Sequence, residues 1–279
     1  MGVCKGFIVL PFLAALLAVL AACLPRPDEP VEWVRRPESI VVQVKALHDP
    51  ASELEQRVVV PEFTLYGDGT LIFTRPDDEG PPRLLRAQLP VEAIRDLLEF
   101  VVEKGFLEFF YDQPGPASGA NLPATFIYVN TIGGANSVRA LGLGALSLED
   151  SGEEFDDLRR LEEIARRLNS LDPEAVGGEI EGEFSPEALL LLVQPTGASN
   201  VVGSPAVWPF TTIDLGEIAP PDSAGGERVV EGETVSDLMN LLPPGPPFAL
   251  AVKQGERTFE VSYRFLLPFE ENFPEFDQP

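Results

Sequence analysis

EFTLYGDGTLIFTR, residues 62–75, holds two short runs of alternating apolar residues around Gly67-Asp68-Gly69. Asp-Gly tolerates the positive φ that tight turns need, so the stretch predicts an antiparallel hairpin. On its N-terminal side SIVVQVKAL (39–47) is a β-branched run that reads as a strand. On its C-terminal side RLLRAQL (83–89) gives a further strand, and Pro90 stands where a helix would begin. Ile94, Leu97, Leu98 and Val101 recur at helical spacing, and Gly105 supplies the stop. A second hairpin, TFIYVNTIGGANSVRALGL, is expected to turn near Gly133-Gly134. Ser151 and Glu154 form a capping box ahead of a helix with the stripe Phe155, Leu158, Leu161, Ala165 and Leu168. Its acids precede arginines by four residues (Asp156–Arg160, Glu162–Arg166, Glu163–Arg167), which predicts a solvated face of i,i+4 pairs. Strands, helix, hairpin and helix in this order place residues 39–170 in an α+β domain of antiparallel sheet and helices.

A second α+β module is expected over 183–268, after a linker at 171–182 that shows no apolar pattern. LLLLV (189–193) reads as a buried strand and ERVVEG as a short one. Thr234 is placed as the cap of a brief helix carrying Val235, Leu238 and Leu241, stopped by Pro243-Pro244. FALAVKQGERTFEVSYRFLL (248–267) is a hairpin turning at Gly255, and 269–279 is an acidic, flexible tail. A strand, a helix and a hairpin follow one another in both 83–141 and 228–267, an echo that fits a diverged duplication or chance recurrence.

The chain begins with a different kind of signal. Lys5 precedes nineteen uncharged, mostly apolar residues, 6–24, that end in Leu20-Ala21-Ala22-Cys23. A basic start, an apolar run and small residues before a cut site describe a secretory signal peptide over 1–22. The same run is just long enough to span a bilayer core of about 30 Å, so an uncleaved anchor is the alternative. Residues 23–38, with prolines at 25, 27, 30 and 37, read as a Pro-rich tether that reaches some 45 Å at about 3 Å per residue. Trp33 within it has two readings, a dip into the lipid interface or docking on the domain.

Leu20-Ala21-Ala22-Cys23 resembles the lipobox of bacterial lipoproteins. The resemblance implies cleavage between Ala22 and Cys23 and acyl chains, palmitate among them, on the Cys23 sulfur. It places the protein outside the cytoplasm, anchored to the cell membrane or, where one exists, the outer membrane. Leu24 stands where some Gram-negative lipoproteins carry an aspartate for inner-membrane retention. The first domain resembles a group of uncharacterised secreted bacterial proteins through Tyr66-Gly67-Asp68-Gly69-Thr70, Gly105-Phe106 followed by Phe109-Phe110, Leu122-Pro123 and the helix 151–168. That resemblance implies a fold and no chemistry.

Composition narrows function further. Without residues 1–22 the chain has 19 bases against 45 acids, a net charge of −26. Such a surface repels phosphate backbones and argues against nucleic acid as a partner. It suits solubility, or attraction for a cationic partner or divalent ions. The only cysteines are Cys4 and Cys23, so the folded part must rest on hydrophobic cores rather than disulfides.

Motifs for catalysis are sparse. The one histidine, His48, precedes Asp49-Pro50 and reads as the end of a strand. No G-x-S-x-G elbow, Walker loop or dinucleotide fingerprint occurs; Gly142-x-Gly144 reads as a loop. One histidine is too few for a conventional zinc site. No catalytic residue, metal ligand or cofactor is therefore assigned. Asp77-Asp78-Glu79 and Glu149-Asp150 are candidate calcium clusters without the EF-hand spacing, and Asp68 reads as a turn residue. Phe106–Tyr111 reads as core or as the lining of a pocket. The expectation is a lipid-anchored envelope protein, a binding or assembly module more than an enzyme. The alternatives are a carboxylate-pair hydrolase of cell-wall or extracellular polysaccharide, and a calcium-stabilised surface module.

Overall fold

The computed structural model describes residues 30–47, 59–76, 82–113, 122–144, 155–196, 204–241 and 250–270. Among these residues two sheets and four helices make an α+β fold. The first sheet has eight strands: β1 (Ile40–Leu47), β2 (Phe63–Tyr66), β3 (Thr70–Arg75), β4 (Arg83–Gln88), β5 (Asp112–Gln113), β6 (Ala124–Thr131), β7 (Gly134–Leu141) and β8 (Glu179–Glu183). Their spatial order is β5-β7-β6-β1-β2-β3-β4-β8. The second sheet has five: β9 (Ala188–Thr196), β10 (Ala206–Val207), β11 (Gly226–Glu231), β12 (Leu250–Gln254) and β13 (Arg257–Phe265). They lie in the order β10-β12-β13-β9-β11.

The hairpin at 62–75 forms as read, with Phe63 opposite Phe73 and Leu65 opposite Leu71. The Gly69 N–H donates to the Tyr66 carbonyl, and Asp68 Oδ1 accepts from the Thr70 N–H at 2.9 Å. Gly69 has φ 93°, the left-handed conformation that glycine adopts without strain. The second hairpin turns one residue earlier than expected, at Ile132-Gly133, because Thr131 pairs with Gly134. In the third, Gln254 pairs with Arg257 around Gly255-Glu256.

Helices α1 (Val91–Glu103) and α2 (Asp156–Asn169) cover one face of the first sheet. Ile94, Leu97, Leu98 and Val101 from α1 meet Leu158, Leu161, Ile164 and Leu168 from α2 in a core with Val42, Val44, Phe63, Leu65 and Val129. The stripe of α2 runs through Ile164, with Ala165 only partly buried beside it. Its predicted i,i+4 pairs give way to i,i+3 pairs, Asp156 with Arg159 and Asp157 with Arg160. Glu163 turns to Lys104 just beyond α1, and Arg160 lies over the Phe109 ring at 4.8 Å. This helix face is therefore tied to α1 and the following turn rather than simply solvated. The capping-box residues Ser151 and Glu154 lie outside the described residues.

The second sheet has its own core, with Leu189, Leu191 and Val193 packed on Trp208, Ile213, Phe259, Val261 and the two short helices α3 (Leu215–Ile218) and α4 (Glu233–Leu241). LLLLV lies in β9 between β13 and β11 and is buried on both faces, Leu189, Leu191 and Val193 in this core and Leu190 and Leu192 in a small cluster with Leu266. Thr234 is inside α4, which starts at Glu233, so it is not the cap.

Three stretches expected as loose chain are in part structured. Residues 31–36 of the tether lie on the first sheet: Trp33 is buried, and its indole N–H donates to the Gly67 carbonyl at 3.0 Å. The Ile132 N–H donates to the Glu32 carbonyl at 2.8 Å. A Cβ on Gly67 would stand 2.0 Å from the Val34 carbonyl oxygen, so only glycine admits this approach. The 171–182 stretch carries a 3₁₀ turn at Glu174–Val176 and most of β8, which pairs with β4 and is braced by Arg86–Glu181 at 2.8 Å. Its Gly178 faces the Gln88 carbonyl oxygen, 2.6 Å from where a Cβ would be. Hydrogen bonding and ion pairing, rather than apolar alternation, hold this edge strand. The tail's first residues, Phe269 and Glu270, also pack against the body; 271–279 lie outside the described residues.

Candidate functional site

A bulge between Ile40 and Val42 shifts the alternation of β1. Val41, Val42 and Val44 then join the helix-side core, and Gln43 is left for the opposite face. The strand registers line up a row across that face: Ser137, Tyr128, Gln43, Thr64, Ile72 and Arg86 are successive cross-strand neighbours from β7 to β4. Gln43 and Thr64 are fully buried, and the Gln43 amide donates to Thr64 Oγ1 at 3.3 Å. Gln43 Oε1 and Ser137 Oγ are buried without a hydrogen-bond partner. Burial pushes the Tyr128 hydroxyl pKa up.

This face is also the seam between the two sheets. Ile40, Tyr66 and Ile72 pack with Phe184 and Leu267, and with Phe265 at the end of β13. The Tyr66 hydroxyl donates to the Pro268 carbonyl at 2.8 Å, and its ring meets Phe269 edge-on. Arg264 of β13 pairs with Glu270, whose side chain is only 15% exposed. Burial raises the Glu270 pKa, while the charges of Arg264 and Lys45 pull against that rise. Burial likewise raises Tyr263, the neighbour of Arg264.

Chemically these residues offer hydrogen-bonding groups, the three phenols of Tyr66, Tyr128 and Tyr263, and one ion pair. No Asp or Glu among the described residues is fully buried, and no three metal-ligating side chains come together there. The described residues include no histidine or cysteine. A carboxylate pair in a cleft would need a second acid beside Glu270; its charged neighbours here are Arg264 and Lys45.

The sequence-derived sites fall as follows. Ala22, Cys23, His48, Asp77-Asp78-Glu79 and Glu149-Asp150 lie outside the described residues. Asp68 is an exposed turn residue. The aromatic cluster divides: Phe106 and Phe109 are core, in edge-on contact, while Phe110 is 81% exposed. Gly142 and Gly144 both have positive φ, in a loop. Sequence reasoning passed over Gln43, Tyr128, Arg264 and Glu270. The one available signal was a polar residue inside the apolar run IVVQV.

No protein-family profile matches the chain, and no curated protein does.

Proposed function

We propose that this chain is a lipid-anchored protein of the cell envelope that works by binding or assembly rather than turnover. The observation that carries the proposal is Leu20-Ala21-Ala22-Cys23 at the end of an uncharged nineteen-residue run. Acyl chains on Cys23 hold the protein to the membrane, since each buried CH₂ contributes about 0.8 kcal/mol and two or three chains anchor stably. The seam suits a binding or assembly role: two hydrogen bonds, Gln43–Thr64 and Tyr66–Pro268, and the Arg264–Glu270 ion pair are built into it. The partner is an envelope protein or a cationic molecule, the latter suited to the acidic composition of the chain.

Cys23→Ala is expected to accumulate as a larger, unprocessed precursor without fatty-acid label. A variant cut and labelled like wild type would overturn the anchor. Pull-down with the intact lipoprotein should recover an envelope partner. Recovery of none, with turnover of wall polysaccharide, would favour a hydrolase instead.

A further inference from the structure

Residues 31–36 are fixed at one end of the first sheet, beside the β2–β3 and β6–β7 turns. Only 24–30 separate Cys23 from this docked segment. Seven residues reach at most about 25 Å, roughly half the reach of the whole stretch up to residue 38. The acylated end must therefore lie close to these turns. Two apolar side chains are exposed there. Ile132 occupies a two-residue hairpin turn, where Asn, Asp or Gly is usual, and is 68% exposed. Val34 is 41% exposed, two residues from the Glu32 carbonyl that holds the Ile132 amide. Arg35 and Arg36 are exposed beside them, Arg35 over the Trp33 ring at 4.8 Å and 3.7 Å from Glu32.

We infer that this end of the first sheet is a membrane-contacting foot. It sets Ile132 and Val34 into the interface of the bilayer that carries the Cys23 anchor, with Arg35 and Arg36 at the depth of the lipid phosphates. The inference rests on the lipid-anchor reading. The occupant is a bilayer rather than a protein because the chain's own anchor emerges within reach of the patch. The acidic chain has little attraction for an anionic membrane, so apolar insertion rather than net charge is the driving term. Anchoring makes a weak insertion effective, because it confines the foot to the membrane surface.

The test uses the full-length lipoprotein with single cysteines at Ile132→Cys, Val34→Cys or Arg228→Cys, the last an exposed position on β11. Processing removes Cys4 and the thioether occupies Cys23, so each variant has one free thiol. An environment-sensitive fluorophore is attached and the protein is reconstituted into phosphatidylcholine vesicles with and without brominated lipid. Labels at 132 and 34 are expected to shift to the blue and lose half or more of their emission to the brominated lipid, with little change at 228. Acylated protein whose labels at 132 and 34 behave like the label at 228 overturns the foot and leaves the anchor standing. A Cys23 peptide without acyl mass overturns both.

Discussion

From one edge inward, the first sheet runs β5-β7-β6-β1-β2 and the second runs β10-β12-β13-β9-β11. In both, a two-residue edge strand is parallel to its neighbour and every later pair is antiparallel. The chain nevertheless passes through the two patterns differently. In the first sheet the hairpin's first arm, β6, lies against the central β1; in the second its last arm, β13, lies against the central β9. The strand before the helix also differs: β4 lies three places from β1, whereas β11 touches β9 directly. A duplication that kept its topology would keep these positions. The echo in the sequence is therefore not a copy that kept its strand positions: an alternating sheet accepts a hairpin either way round, provided the directions alternate.

The only two tryptophans sharpen the contrast. Each is buried in its own core and donates its indole N–H to a backbone carbonyl: Trp33 to Gly67, and Trp208 to Ile213 at 3.1 Å. The first bond ties down a segment outside the strands, and the second closes a local loop. Alanine at either site is expected to cost about 3–5 kcal/mol of stability in urea unfolding. The variants should part under limited trypsin digestion. Trp33→Ala should open the bond after Arg35 to cleavage, and Trp208→Ala should leave it protected. Equal cleavage in both would show that residues 31–36 are not held by Trp33.

A smaller effect tests the seam. Tyr66→Phe removes the hydroxyl that bonds the Pro268 carbonyl and should cost about 0.5–1.5 kcal/mol. Hydrogen exchange should speed up at Leu267 and Phe269 and leave the middle of β9 unchanged. Unchanged exchange at both residues would mean that apolar packing alone holds the two units together there.

These sites also show what could be read in advance. Gly67-Asp68-Gly69 and Gly255 announce hairpins because turn chemistry is local, and the stripe of α1 announces its buried face because helical spacing is local too. Strand β8 was illegible: Ile180 is its one apolar residue, and its strand character comes from pairing with β4. Trp33 was legible as a large apolar residue but not as a core one, because Gly67 and the 131–134 turn reach it only in the folded chain. Of the seam, Gln43 left a faint mark inside IVVQV. Glu270 left none, being one acid among 45.

The smallest expected effect concerns that acid. Its pKa is raised by burial, against the pull of Arg264 and Lys45. Below the ordinary glutamate value, about 4.3, it is protonated in both folded and unfolded chains. As the pH rises, the unfolded chain loses this proton first, so stability falls until the folded-state value is passed. Glu270→Gln cannot titrate. The stability of wild type relative to this variant should therefore decline as pH rises through that window, as read from urea midpoints. The opposite slope, with wild type gaining, would mean that the Arg264 ion pair outweighs burial. The seam would then be an electrostatic clasp rather than an apolar contact that tolerates a charge.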